Sequence, residues 1–280
     1  MHTVTVDERV ELVSLVFRLA GLFSSTIHRT ETPHHEKLEL HFKQHKRHQA
    51  MKAAKKFKLY LPQIPIYALH LAKHGEDFVF VPRAYMNLAP LYKDNSLLNP
   101  IVAAQFTPLL NDFYQATQFG AFFHAHSIFY EKQASAFAEN YYHQIDLAWF
   151  SKYIDPTRLR CVFTPSLACG NFGVAVAEAW YSVVSEGMAT VHEICHLFAN
   201  PIAEQWYEQN PAFRQLCDEP MAKWLPYERG VSMATEYVTR SYDILYQVQH
   251  GDELATLLQQ EQANGFPHIE QVYNMVKELP

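Results

Sequence analysis

Apolar residues recur at helical spacing along most of this chain. Between residues 7 and 23, Val10, Val13, Phe17 and Ala20 lie on one face of a helix. The same periodicity predicts further helices over residues 36–59, 66–74, 101–118, 120–150, 202–216, 228–249, 252–263 and 268–278. The protein is therefore expected to be mostly helical.

Shorter segments have the apolar, β-branched composition that is typical of strands. These predicted strands cover residues 78–81, 160–165 and 174–184. Cys169 to Gly173 are interpreted as a turn or bulge between the last two strands. A change of composition at Asp155-Pro156 divides the chain into a helical subdomain, residues 1–155, and a second subdomain, residues 156–280. The expected fold class is α+β, mostly helical, with a small sheet and with both subdomains forming one continuous unit.

The helix predicted after the sheet contains the motif His192-Glu193-x-x-His196 in an apolar setting. His192 and His196 lie one turn apart on the same face, and two imidazoles at that spacing can bind one zinc ion. Glu193 lies about 100° further round the helix, where it can reach a water on the metal without being a ligand. Two His and a Glu in a buried helix need compensating partners, and zinc is one. A core helix with hydrogen-bonded His residues is the alternative.

Two other His pairs have the same spacing but lack the Glu. His41 and His45 belong to a basic segment that would repel a cation, and an exposed helix face is expected there. His70 and His74 are expected at an exposed helix end. Neither pair is predicted to bind a metal ion.

A third protein ligand has to come from another part of the chain. Glu236 belongs to a predicted helix with few charges, and the small residues Ser232, Ala234 and Thr235 would let that helix approach the motif. Arg240, one turn later, can pair with this carboxylate. Glu236 is therefore the favoured ligand, and an exposed Glu–Arg pair is the alternative. The other downstream acids belong to polar helices or Pro-containing loops: Glu204, Glu208, Asp218, Glu219 and Glu228.

The composition is that of an ordered globular protein, with 49% apolar and 14% aromatic residues among 280. The formal net charge of −6 argues against general nucleic-acid binding. No stretch reaches the ~20 apolar residues needed to cross a bilayer. The N-terminal region lacks the basic start and cleavage site of a signal peptide, so a cytoplasmic protein is expected, or a secreted one whose export signal has been removed. The four cysteines are expected to be reduced, with Cys195 packing in the core.

One region departs from the overall acidity. Seven Lys and Arg residues occur between positions 43 and 58, and that stretch contains no acid. The simpler interpretation is a helix face exposed to solvent. The more specific interpretation is a patch that binds an anion or an acidic partner.

With His192-Glu193-x-x-His196 followed on a later helix by Glu236, the sequence resembles the zincin metallopeptidases whose third ligand is a glutamate, the gluzincins. Over most of the chain it also resembles a bacterial family with a domain of unknown function, to which metallopeptidase activity is ascribed. That second resemblance rests on the motifs Arg9-Val-Glu11-Leu, Asn171-Phe-Gly173, His192-Glu-x-x-His196 and Glu236-x-x-x-Arg240. The Asn-Glu-x-x-x-Asp signature of thermolysin-like enzymes is absent, and so are the Gly and third His of the metzincins. Membership of either group is therefore not expected.

The resemblance implies a zincin-like fold, in which a small sheet lies next to the motif helix, and a zinc-dependent peptidase activity. In that activity, His192, His196 and Glu236 hold Zn²⁺, Glu193 acts as general base, and Arg240 supports the ligands.

The resemblance also implies a peptide or protein substrate. From the net charge and the absence of a long apolar stretch, neither nucleic acid nor a membrane is expected as a partner. A sheet edge that binds extended peptide is placed at Asn171, Phe172 and Gly173, and a plain tight turn is the alternative. A zincin-fold protein that hydrolyses another amide, or that acts as a binding module, is the alternative function. The group that stabilises the oxyanion is left open among Tyr207, Tyr237 and Tyr242.

Overall fold

The computed structural model describes most of the chain, namely residues 4–22, 33–57, 63–81, 97–165, 171–185, 189–219 and 230–279. Within these residues the protein is mostly helical and has two small sheets, so the predicted α+β class is confirmed. The chain divides into two compact units. The first unit contains residues 1–145 and 157–190, and the second contains residues 146–156 and 191–280.

The first unit combines helices with both sheets. Its longer helices are α1 (Glu8–Leu19), α2 (Pro33–Phe42), α3 (Gln49–Ala54), α4 (Gln63–Leu69), α5 (Pro100–Thr117), α6 (Phe119–Ala125) and α7 (Ser127–Asn140). Its strands are β1 (Val4–Thr5), β2 (Leu71–His74), β3 (Asp77–Phe80), β4 (Leu159–Phe163), β5 (Phe172–Val176) and β6 (Ala179–Val184).

The larger sheet is mixed and has the strand order β1-β4-β6-β5. β1, β4 and β6 are parallel, whereas β5 is antiparallel to β6 and forms an edge of the sheet among the described strands. β5 and β6 form a hairpin in which Val176 pairs with Ala179 and Ala177 has φ 54°. β2 and β3 form a separate antiparallel hairpin.

Helix α1 is the centre of the first unit's core. Its apolar residues are almost completely buried, and Phe17 packs against Phe106 of α5, with the ring centroids 6.0 Å apart. Two charged residues of α1 are also buried, and each has a polar contact. Glu11 accepts a hydrogen bond from Thr164 Oγ1 at 2.9 Å, and Arg18 lies 3.4 Å from a carboxylate oxygen of Glu39. Burial on all sides of α1 explains why its apolar pattern is broader than a surface stripe.

The second unit is helical throughout its described part. It contains α8 (Leu147–Phe150), α9 (Thr190–Gln209, whose first residue belongs to the first unit), α10 (Pro211–Asp218), α11 (Val231–Gln249), α12 (Leu254–Ala263) and α13 (Ile269–Lys277). Helix α11 packs against α10, α12 and α13. It begins after Gly230, which has φ 83°, a conformation that glycine adopts without strain.

The predicted helices at 7–23, 101–118, 228–249, 252–263 and 268–278 are confirmed with small shifts at their ends. Two other predicted helices are interrupted. The one at 36–59 ends at Phe42, continues as a short 3₁₀ turn and restarts as α3, whose first turn is capped by the His48 side chain. The one at 120–150 consists of several shorter helices. Local caps and turns compete with helical periodicity at these positions.

Three further predictions were wrong. Residues 71–74 form strand β2 instead of continuing a helix, because they pair with β3, and periodicity does not reveal this partner. Residues 174–184 form a hairpin, not one strand, and Phe172 and Gly173 belong to β5, not to a turn. The helix predicted at 202–216 is not a separate one: its first part is the continuation of the motif helix, which runs through Pro201 to Gln209, and the rest belongs to α10. Ala199 and Ala203, on either side of this proline, are buried.

The predicted division near residue 155 also differs from the observed one. Strands β4 to β6 belong to the same unit as the N-terminal helices, whereas residues 146–156 belong to the unit of the motif helix. The described cysteines Cys161, Cys195 and Cys217 are buried free thiols, as expected. None of the helices in the described parts combines the length and the apolar character required to cross a bilayer.

Candidate metal centre

The His-Glu motif lies within the first two turns of α9. His192 and His196 face the same side of the helix, with ring centroids 4.8 Å apart and ring planes at 88°. Glu193 joins them in a group whose candidate ligand atoms all lie within 4.8 Å of one another. All three side chains belong to the second unit and are buried or half-buried. The local pattern predicted from the sequence is therefore present as a compact group of three metal-ligating residues.

Helix α11 brings Glu236 to the two imidazoles. Its Oε1 lies 3.6 Å from Nε2 of His196, and its Oε2 lies 3.7 Å from Nε2 of His192. Ligand bonds of 2.0–2.1 Å in tetrahedral geometry place ligand atoms about 3.4 Å apart, so the observed separations are only a few tenths of an ångström longer. Glu236 is also buried, so the alternative of an exposed Glu–Arg pair is wrong.

His196 is held in the tautomer that a metal ligand needs. Its Nδ1 lies 2.9 Å from Oδ1 of Asn200 and 3.0 Å from Oγ1 of Thr239. An amide oxygen only accepts hydrogen bonds, so Nδ1 carries the proton and donates it to Asn200. Burial, followed by repulsion from His192, lowers the pKa of His196 to about 4, so the ring is neutral at pH 7. Its Nε2 lone pair is therefore free on the side of Glu236.

His192 has a carboxylate behind it. Its Nδ1 lies 3.7 Å from Oδ2 of Asp243, which is two turns after Glu236 on α11. Burial alone would lower the pKa of His192, but Asp243, Glu236 and Glu193 together raise it above the usual value. A carboxylate in this position fixes the ring orientation and increases the basicity of the nitrogen that faces a metal.

Arg240 contacts the carboxylate of Glu236 from the side. Its Nε lies 3.3 Å from Glu236 Oε2, its Nη1 donates to Oε2 of Glu261 at 2.7 Å, and its guanidinium lies 4.2 Å from the ring centre of Phe266. Burial alone would raise the pKa of Glu236, but His196, His192 and Arg240 lower it below the usual value. The carboxylate is therefore ionised at neutral pH, as a ligand must be.

The donor set fits a zinc ion. Glu236 Oε2 is buried and forms the ion pair with Arg240 Nε, but it accepts no hydrogen bond of normal geometry within the described parts of the chain. A buried carboxylate oxygen without a hydrogen bond costs free energy unless something else binds it. Two imidazole nitrogens and one carboxylate are also the three-ligand set that leaves a fourth position open on catalytic zinc. His192, His196 and Glu236 would hold the ion.

The other predicted site residues are not part of this group. Asn171, Phe172 and Gly173 belong to the first unit, at the start of β5. Asn171 Oδ1 accepts a hydrogen bond from the Ser185 backbone N–H at 2.6 Å, so this side chain ties the two ends of the β5–β6 hairpin together. Residues 169–170 lie outside the described residues. The role of this segment in binding substrate stays a prediction.

The three candidate tyrosines have other contacts. The Tyr207 hydroxyl donates to Asp218 at 2.9 Å, Tyr237 packs against Phe266, and Tyr242 packs against Phe198. Among the described contacts, none of these hydroxyls approaches the His–Glu group.

The remaining His pairs behave in part as predicted. His41 is exposed, as expected, whereas His45 is half-buried, and both rings pack against aromatic side chains. His74 is exposed, but the expectation of an exposed His70 was wrong, because its side chain is buried and its Nδ1 bonds the carbonyl oxygen of Ile66.

Three residues around the ligands were missed by the sequence analysis, namely Asn200, Thr239 and Asp243. Their spacing was a usable signal. Asn200 follows His196 by one turn, whereas Thr239 and Asp243 follow Glu236 by three and seven residues, which keeps them near the same face of α11.

Replacement of Asp243 by asparagine is expected to weaken zinc binding by about 10–100-fold, because the amide keeps the size of the side chain but removes the charge behind His192. Competition with a chromophoric chelator measures the effect. Asp252→Asn, at an exposed position beyond α11, is the control. A loss smaller than about threefold for Asp243→Asn would contradict this role.

The chain was compared with models of protein families, with curated proteins and with solved structures, and no match was found in any of the three comparisons.

Proposed function

We propose that this protein is a zinc-dependent metallopeptidase of the Glu-ligand type. The observation that carries the proposal is the approach of Glu236 from α11 to both Nε2 atoms of the motif on α9, at 3.6 and 3.7 Å, with Glu193 beside them. A motif that arose by chance on a core helix would not require an ionised carboxylate from a distant helix at this position.

The chemistry divides between the ion and the side chains. Zinc, when bound, activates a water molecule and polarises the carbonyl of the scissile bond. Glu193 accepts a proton from the attacking water and delivers it to the leaving amine nitrogen. Asn200 and Asp243 hold the two imidazoles in the orientation in which Nε2 faces Glu236.

The zincin-like fold is part of the same proposal. The order of elements supports it, since a mixed sheet with an antiparallel edge strand is followed by the motif helix and then by the helix of the third ligand. The edge strand β5 has one side without a partner among the described strands. An extended peptide could add to it as a further strand through backbone hydrogen bonds.

Metal analysis is the first test of this function. Protein purified without an affinity tag, which would itself bind metal, should contain about one zinc ion per chain. Less than about half an equivalent after dialysis against zinc would end the proposal. Given stoichiometric zinc, a diverse peptide library should be cleaved, and a strong chelator should stop the cleavage until zinc is restored. A protein that binds zinc but cleaves no peptide would favour the alternative function, another amide hydrolase or a binding module.

A further inference from the structure

The segment from α2 to α3 in the first unit has a strongly basic outer side. We call it the basic face; its members are Lys43, Lys46, Arg47, Lys52, Lys55 and Lys56, and all six are exposed. On the same segment, Phe42, Ala50, Met51 and Ala54 are buried. The apolar side of the segment therefore packs on the core, while the cations project into solvent.

The charges of the basic face are largely uncompensated within the described residues. Only Lys46 lies within 4 Å of a carboxylate there, that of Glu39 at 3.2 Å. Helix α3 packs against α1 and α5, and α5 contributes a single acid, Asp112, whose carboxylate lies 3.1 Å from His48. Five cations thus remain without an ion pair in the part of the chain that the structure describes.

The undescribed segments of the chain contain few acids. Each of those segments contains at most one Asp or Glu. The contrast with the whole molecule is large. When the seven cations of residues 43–58 are set aside, 16 of the 23 Lys and Arg residues remain against 29 Asp and Glu, a net charge of −13. Within the first unit, 10 Lys and Arg residues then remain against 14 Asp and Glu, so residues 43–58 are the main positively charged segment of that unit.

We propose that the basic face binds a short acidic segment of another polypeptide. At physiological salt, charges are felt over about 8 Å, so a short segment interacts with the basic face alone. The formal net charge of −6 of the whole chain disfavours a long polyanion, such as DNA or an anionic bilayer. The proposal does not depend on the metal centre, which belongs to the other unit.

The spacing of the cations fits an extended acidic chain. Lys52 belongs to α3 and Lys55 is its C-cap, one helical turn later, which separates the two side chains by about 5–6 Å. Carboxylates at alternate positions of an extended peptide are about 6.6 Å apart on one side of the chain. Leu40, 72% exposed and three residues before Lys43, offers an apolar contact at the end of the basic face.

Binding of fluorescein-labelled deca-glutamate to the full chain tests the proposal by fluorescence anisotropy. Wild-type protein should bind at low salt and lose most of its affinity between about 0.02 and 0.3 M salt. The triple variant Lys52→Glu, Lys55→Glu, Lys56→Glu should bind at least about tenfold more weakly. Lys132→Glu, Lys152→Glu, Lys277→Glu changes the same number of exposed lysines outside the basic face and should bind like wild type. The triple variant Lys52→Gln, Lys55→Gln, Lys56→Gln removes the same three charges without reversing them and should also bind more weakly than wild type. Circular dichroism verifies that each variant is folded.

Three results would overturn the proposal. The first is the absence of binding up to about 1 mM protein at low salt. The second is equal weakening by the control triple variant, which would mean that net charge and not the basic face determines affinity. The third is tighter binding to a DNA duplex, or to vesicles containing phosphatidylserine, than to deca-glutamate under the same conditions.

Discussion

Replacement of Glu193 by glutamine is expected to lower the rate of peptide hydrolysis by roughly 10²–10⁴-fold while the protein keeps its zinc. Glutamine has the same size and fits the same buried position on α9, but its amide cannot accept and return a proton. The zinc ligands in the proposed centre are His192, His196 and Glu236, so metal content should not change. The measurement is kcat/KM on a cleaved library peptide, together with zinc per chain for the same preparation.

Glu208→Gln is the matched control, since Glu208 is an exposed residue of the same helix. It should retain wild-type activity. Glu193 also belongs to the compact group formed with the two His residues, so a ligand role is the competing explanation. Loss of zinc from Glu193→Gln would favour that competing role, and full activity would remove Glu193 from the mechanism.

The sequence predicted the local part of the site well, because its signals are local. Two imidazoles one turn apart and an adjacent carboxylate follow from helix geometry alone. The choice of Glu236 rested on physical chemistry of the same kind, since a lone carboxylate on an apolar helix needs a partner. Its contact with Arg240 was predicted from the i, i+4 spacing, and the structure contains it at 3.3 Å.

The missed features depend on contacts between distant parts of the chain. Periodicity gave no sign that residues 71–74 would pair with β3, or that β4 would pair with β1, a strand of only two residues. Asp243 lies seven residues after Glu236, and this spacing places both near one face of α11. That its carboxylate lies behind His192 depends on the contact between α9 and α11, which the spacing does not reveal.

Replacement of Glu236 by alanine is expected to weaken zinc binding by roughly 10²–10³-fold. Alanine removes the only one of the three proposed ligands that is negatively charged, and the two imidazoles on α9 remain without a third protein donor. Zinc would be lost during dialysis against a moderate chelator, and peptide hydrolysis would disappear with it. The loss of affinity is measured by adding zinc back to the variant and determining its zinc affinity by competition with a chelator.

Glu270→Ala is the control, because it also removes a carboxylate from the second unit but at an exposed position on α13. It should keep both zinc and activity. Because Glu236→Ala leaves the Arg240–Glu261 contact at 2.7 Å in place, the variant is expected to remain folded, which circular dichroism can verify. A folded Glu236→Ala protein with wild-type zinc affinity would move the third ligand to another carboxylate. If Glu193→Gln then loses its zinc, the third ligand is Glu193, which already forms a compact group with the two His residues.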